Sequence, residues 1–209
     1  MKRILVISPH PDDESIGCGG TVRKHVQEGD AVRAIFLTSG EKGGHGRGEK
    51  ETACIREAEA TSAATILGIE SIEFYRLRDG ALRVSPRAAE RLRKLLLEWL
   101  PDCIYLPHAD EMHTDHRASV RLLKRSLRAL SGYAPRILMY EIWTPLQRLD
   151  EIVDISPYVE LKRAAIRAHE SQCAVIDLDV AALGLNRYRG EMHSWPGGEY
   201  AEAFTELTI

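Results

Sequence analysis

Two short segments concentrate the chemistry of this chain. His10-Pro11-Asp12-Asp13-Glu14 follows the apolar run "RILVIS", and His113-Thr114-Asp115-His116 closes the stretch "PHADEMHTDH". Adjacent carboxylates repel and raise one another's pKa, so the acidic run calls for a positive partner. Each segment sets a His and a carboxylate within a few residues, and together they can supply two imidazoles and one carboxylate to a divalent cation. That ligand set leaves a position for water, as catalytic rather than structural zinc sites do. The cation neutralises the acidic cluster and lowers the pKa of its water to about 7. A carboxylate outside the coordination shell can take the proton as that water attacks, or can orient a His ring. The natural reaction is hydrolysis. Spacing alone leaves open which histidine binds the metal. HxxH by itself is a common accident, but Pro9 and Pro11 fix the backbone around His10 in an order that surface solvation does not require. A nucleotide-binding first loop is the competing reading; "GCGG" lacks the GxGxxG order, and the carboxylates would repel pyrophosphate.

These segments need a scaffold, and the periodicity supplies one. "RILVIS", "AVRAIFLTS", "SIEFYRL", "DCIYLP" and "RILMYEIW" read as strands, the first as one covered on both faces. Helical patterns lie between them. In "SPRAAERLRKLLLEWLP", Ser85 caps, Pro86 suits the first turn, Ala89, Leu92, Leu95, Leu96 and Trp99 recur at helical spacing, and Pro101 ends the run. Further helices are expected from about Glu49 to Leu67, stopped by Gly68, from His116 to Leu130, and from Ser156-Pro157 to about His169. Strands separated by helices give an α/β fold with a mainly parallel sheet. Ligands bind such sheets where loops leave the carboxyl ends of the strands, and three polar loops, "SPHPDDES", "SGEKGGHGRGE" and "PHADEMHTDH", belong to that edge. The five glycines of the second suit a mobile lid or an ordinary connection. "GLNRYRGEMHSWPGGEYAEAF" reads as irregular, a wall of the binding face. Arg117, Arg121, Lys124, Arg125 and Arg128 follow His116 without an acidic residue, as a solvated face or as an attraction for an anionic group.

At 209 residues the chain suits one domain, 1–209. A net charge of -3 argues against nucleic acid as a partner. No segment has the ~20 apolar residues of a membrane span, and "MKRILVISPH" is too short for a signal-peptide core. A cytoplasmic location is the default expectation. Cys18, Cys54, Cys103 and Cys173 form no CxxC pair and read as free thiols.

The ordered blocks "SPHPDDESIGCGGTV", "LTSGEKG", "IREAEATSAATILG", "HTDH", "YEIWTPL", "VDIS", "KRAAIRAHESQ" and "GEMHSWPGGEYAEAF" resemble the LmbE-like, or PIG-L, family of metal-dependent N-deacetylases across most of the chain. The resemblance implies a Rossmann-like sheet, one zinc ion, and removal of an acetyl or other acyl group from an amine, often on an N-acetylglucosamine unit. It implies His10, Asp13 and His116 as ligands, Asp12 as general base, His113 as oxyanion donor and Asp115 as the group orienting the His113 ring. Glu41, Arg56 and Asp79 fall where the family contacts the sugar or its substituent; a solvent-facing helix residue is the plainer reading of Arg56, and a turn residue that of Asp79. Where some members carry a Tyr that helps hold the oxyanion, this chain has Glu111, and His193 is a candidate to replace that donor or a residue packing on Trp195. Glu14 is expected to buttress the cluster. His25, His45, His108 and His169 have no motif support. Iron, nickel or cobalt would also suit two His and one Asp. Family members are often homotrimers or homohexamers. The leading expectation is hydrolysis of a small N-acyl glucosamine-type substrate; an amidase acting on a thiol-sugar conjugate, and a binding module without catalysis, are the alternatives.

Overall fold

β1 (Arg3–Ser8) shows why the sequence reads as a two-sided strand: Leu5 and Ile7 enter one apolar core, Ile4 and Val6 the other, and all four are fully buried. The computed structural model describes residues 1–128, 130, 132–193 and 198–208. The elements that follow are α1 (Asp13–Gln27), β2 (Ala31–Thr38), α2 (Glu49–Leu67), β3 (Ser71–Leu77), α3 (Pro86–Trp99), β4 (Cys103–Pro107), α4 (Thr114–Leu127) and β5 (Arg136–Tyr140). After them come β6 (Glu151–Asp154), a short 3-10 turn (Ser156–Tyr158), α5 (Val159–Arg167), α6 (Glu170–Cys173), α7 (Leu178–His193) and β7 (Ala201–Glu206).

The seven strands form one sheet in the order β3-β2-β1-β4-β5-β7-β6. β3, β2, β1, β4 and β5 pair in parallel; β7 runs antiparallel to both β5 and β6, so it alone is reversed. One core lies beneath α3 and α4, the other beneath α1, α2 and α5. The chain winds outward from β1 through β2 to β3, then crosses back to place β4 on the other side of β1. Strand order therefore reverses between β1 and β4, and the loops leaving those strands diverge to open a crevice. The two chemistry-bearing segments are those loops.

Local signals hold where expected. The Ser85 hydroxyl accepts the Ala88 amide at the start of α3, and α2 ends on Gly68 in the left-handed conformation. The strand expected from "RILMYEIW" stops at Tyr140, and α4 starts at Thr114 and ends at Leu127. The stretch read as irregular is a correction: α7 and β7 flank residues 194–197. α7 is weakly amphipathic because it buries two polar members on specific partners, Asn186 donating to the Ala201 carbonyl and Arg189 pairing with Glu141. No helix among the described residues is long and apolar enough to cross a membrane.

Candidate metal centre

The turn after β1 brings His10 and Asp13 together at the head of α1. The Asp13 carboxylate accepts the His10 amide through Oδ2 at 2.8 Å, which folds the loop back on itself. α4 delivers His116 from the other side of the crevice. His10 Nδ1 lies 3.3 Å from Asp13 Oδ2, His116 Nε2 lies 3.3 Å from Asp13 Oδ1, and the two ring nitrogens are themselves 3.3 Å apart. Ligand atoms about 2.0–2.1 Å from a tetrahedral ion stand about 3.3–3.4 Å from one another. The three donors thus have the mutual spacing that a small divalent cation requires.

The outer faces of both rings meet carboxylates. His10 Nε2 lies 3.2 Å from Asp79 and 3.4 Å from Asp115, so its proton belongs on Nε2 and the Nδ1 lone pair faces the cluster. His116 Nδ1 lies 3.6 Å from Glu111. Burial would lower the pKa of His10, but hydrogen bonds with Asp115, Asp13 and Asp79 outweigh it and hold the pKa well above the ordinary value. Burial opposes the charge of His116 too, and Asp13 and Glu111 bring it up to about 9. For Asp13 the balance runs the other way: burial would raise its carboxyl, and the charge of His116 with hydrogen bonds from both rings pulls it far down. The pattern is that of a site built for a cation, with protons on the rings wherever the cation is not. Single donor atoms of His10, His113 and His116, and of His10, Asp79 and Asp115, also come within 4.8 Å of one another. In the second grouping, however, Nε2 of His10 serves both carboxylates as donor.

Asp12 points elsewhere. Its backbone has φ 123° and ψ -30°, a conformation that costs a non-glycine residue about 1–3 kcal/mol, and specific contacts impose it. Its amide donates to Glu14 Oε2, and one carboxylate oxygen accepts from the Arg56 guanidinium at 3.0 Å. Burial raises the Asp12 carboxyl, Arg56 lowers it and Asp13 raises it, leaving it at about 6. Arg56 also donates to the carbonyls of Gly40 and Pro11 and is 4 % exposed, so it is no solvent-facing helix residue. A Cβ on Gly40, whose φ is +64°, would stand 2.3 Å from the guanidinium. The glycine-rich loop is tied to the site through this contact, through the Lys42 amide on Asp79, and through Gln172 on the Gly43 carbonyl.

His113 caps α4, its Nδ1 accepting the Asp115 amide at 3.2 Å. That bond places the ring proton on Nε2. Burial and then the neighbouring charges of His10 and His116 lower its pKa, so the ring is neutral. Its centroid is 4.7 Å from that of His10.

Several expected roles meet a different geometry. The Asp115 carboxylate does not take the His113 ring; it accepts the amides of Gly80 and Leu82 and reaches His10. Asp79, expected at the substrate, is buried against His10, and Glu41 accepts the Asp79 amide. Arg56 holds Asp12. His193 sits at the end of α7 beside Arg189 and the Tyr188 ring, contacts within its own helix; Trp195, the alternative packing partner, lies outside the described residues. Glu111 is fully buried with Oε1 accepting the amides of Ile142, Trp143 and Thr144, so it donates nothing to an oxyanion. Sequence reasoning missed His169, which is buried against Glu14 Oε1 at 3.2 Å. Glu14 also accepts the Ser15 hydroxyl and so links that ion pair to the Asp12 turn. The only signal for His169 was its place in the "KRAAIRAHESQ" block.

The chain resembles known proteins along its length. It is 30% identical over 190 residues to the diacetylchitobiose deacetylase of Thermococcus kodakarensis, covering 82% of this chain and 70% of that one. The structure superposes on the N,N'-diacetylchitobiose deacetylase of Pyrococcus horikoshii with a TM-score of 0.86 at 29% identity, over 99% of this chain and 84% of the other. It also matches the 4-carboxy-2-hydroxymuconate hydratase of Pseudomonas putida, with a TM-score of 0.89 at 25% identity over 100% and 97%. Residues 5–127, which hold β1 through α4 and every donor of the cluster, match the family model PIG-L, GlcNAc-PI de-N-acetylase, and the chain belongs to that family.

Proposed function

We propose that this chain is a zinc-dependent deacetylase that removes the acetyl group, or another N-acyl group, from the amino group of a small glucosamine-type sugar. The observation that carries the reading is the separation of two neighbouring carboxylates: Asp13 closes the 3.3 Å donor set with His10 and His116, while Asp12 is held out of it by Arg56. A divalent cation bound by His10, Asp13 and His116 would supply Lewis acidity and lower the pKa of water. Asp12, with its carboxyl near 6, accepts the proton from the attacking water. The neutral His113 donates Nε2–H to the oxyanion as the carbonyl carbon becomes tetrahedral. As the C–N bond breaks, Asp12 returns the proton to the departing nitrogen, giving the carboxylic acid and the amine, which exchange their proton with solvent. His10 is kept in its donor tautomer by Asp79 and Asp115 throughout.

The hydratase match supports a second reading in which the same base activates water for addition to a carbon–carbon double bond. A panel of N-acetylated amino sugars, thiol-sugar amides and unsaturated dicarboxylates, read by amine release and by loss of ultraviolet absorbance, separates them. Amine release is expected. The deciding variants are Asp12→Asn, which keeps bound metal and loses activity by at least ~10²-fold, and His116→Ala, which loses both. Near-parent turnover by Asp12→Asn would remove the assigned base. The default location read from the sequence is the cytoplasm; the family resemblance extends the reading to a homotrimer or homohexamer, and light scattering on the purified protein measures its mass.

A further inference from the structure

Among the buried polar atoms of the site that lack a hydrogen-bond partner, two face each other: Glu111 Oε2 and His116 Nδ1, 3.6 Å apart. Both residues are fully buried. An unpaired buried polar atom is costly, so a juxtaposition of two is a contact a few tenths of an ångström from closure. We propose that Glu111 is the positioning residue of His116: it receives the Nδ1–H and so holds the His116 Nε2 lone pair toward the cation.

Glu111 is itself immobilised. Its other oxygen accepts amides from Ile142 at 2.9 Å, Trp143 at 2.9 Å and Thr144 at 3.0 Å. Three donors on one oxygen leave the carboxylate no freedom to rotate, and Oε2 is directed at the ring. His108, next to it, donates to the Thr144 carbonyl and accepts the Asp110 amide, which closes the loop around Glu111. The turn after β5 thus reaches the metal ligand through one side chain. His10 has its proton taken by Asp79 and Asp115, and Glu111 performs the same task for His116.

The inference rests on His116 being a metal ligand. Its test is Glu111→Gln. The three amides require an oxygen, so the glutamine oxygen takes the Oε1 place and its NH2 faces His116 Nδ1. Nδ1 must then accept, the ring proton moves to Nε2, and the lone pair is turned away from the cation. Zinc affinity, measured by competition with a chromophoric chelator, should weaken by about 10- to 100-fold. The cobalt-loaded variant should show an altered visible spectrum, and the metal-free variant should melt close to the parent. If the parent binds neither metal, or His116→Ala binds as tightly as the parent, the metal-centre reading falls and this inference with it. If His116→Ala loses the metal while Glu111→Gln retains parent affinity, only this inference falls. Should Glu111→Gln not fold, 15N-edited spectra of the zinc-loaded parent decide: a slowly exchanging proton on His116 Nδ1 is expected, and a bare Nδ1 overturns the assignment.

Discussion

The Arg56 guanidinium lies 3.0 Å from the Asp12 carboxylate while donating to the carbonyls of Gly40 and Pro11. One side chain of α2 therefore fixes the direction of the proposed base and pins two loops of the sheet edge. Arg56→Met should lower turnover by about 10²-fold through misplacement of Asp12. It should also cost at least about 2 kcal/mol of stability through the stranded carbonyls. Urea denaturation beside a turnover assay reads both; a variant with full stability and full activity would contradict this assignment.

Gly40 offers a steric test of the same contact. In Gly40→Ala the new methyl would stand 2.3 Å from the guanidinium at a φ of +64°, so Arg56 must move. Activity and melting temperature should fall together. Gly48→Ala is the matched control, since Gly48 has φ -69° and open space around its Cβ position, and its stability should lie within about 0.5 kcal/mol of the parent.

Asp79 distinguishes a sugar contact from a metal-ligand support. Burial raises its carboxyl, but the hydrogen bond and charge of His10 bring it down to about 2. Asp79→Asn should weaken zinc binding by about tenfold or more, measured by chelator competition, with little change in KM once zinc is saturating. A raised KM at unchanged zinc affinity would return Asp79 to the substrate.

Far from the crevice, Asp30 ties the head of β2 to the chain start, accepting the Lys2 amide at 2.6 Å and meeting the His25 ring at 2.9 Å. Burial raises its carboxyl, and the Lys2 amide and His25 together outweigh it, so the folded pKa lies below the unfolded value. A depressed carboxyl contributes stability that is present above the unfolded pKa and lost as pH falls through the folded one. Asp30→Asn should therefore cost about 1–2 kcal/mol near pH 7, with the gap closing below about pH 4. Chemical denaturation across that range measures it.

The parallel core of the sheet was legible because two-sided burial turns a strand into an unbroken apolar run, as in Ile4 to Ile7, and because Ser85 and Gly68 mark helix ends by chemistry that acts locally. α7 and β7 were not, since Asn186 and Arg189 find their partners 15 and 48 positions away in the chain, and no local pattern carries that information. The site divides in the same way. Spacing marks the two segments that hold His10, Asp13 and His116, the family resemblance is what separates His116 from His113, and the 3.3 Å geometry fits the ligand role assigned to the three. The groups behind them are placed by contacts no local pattern carries: Asp79 and Arg56, whose plainer sequence readings are a turn and a solvent-facing helix position, are buried in the fold, and His169 finds Glu14 across 155 positions.

Because strand order reverses between β1 and β4, the donors that stand 3.3 Å apart are separated by 106 positions in the chain. No fragment shorter than that span can present the full donor set. His10 and Asp13 emerge early in synthesis, and the third donor arrives only after β2, β3 and the return crossover have been made. Under the proposed reading, zinc capture by this chain would report on long-range assembly, and its appearance during refolding should time the docking of β4 against β1.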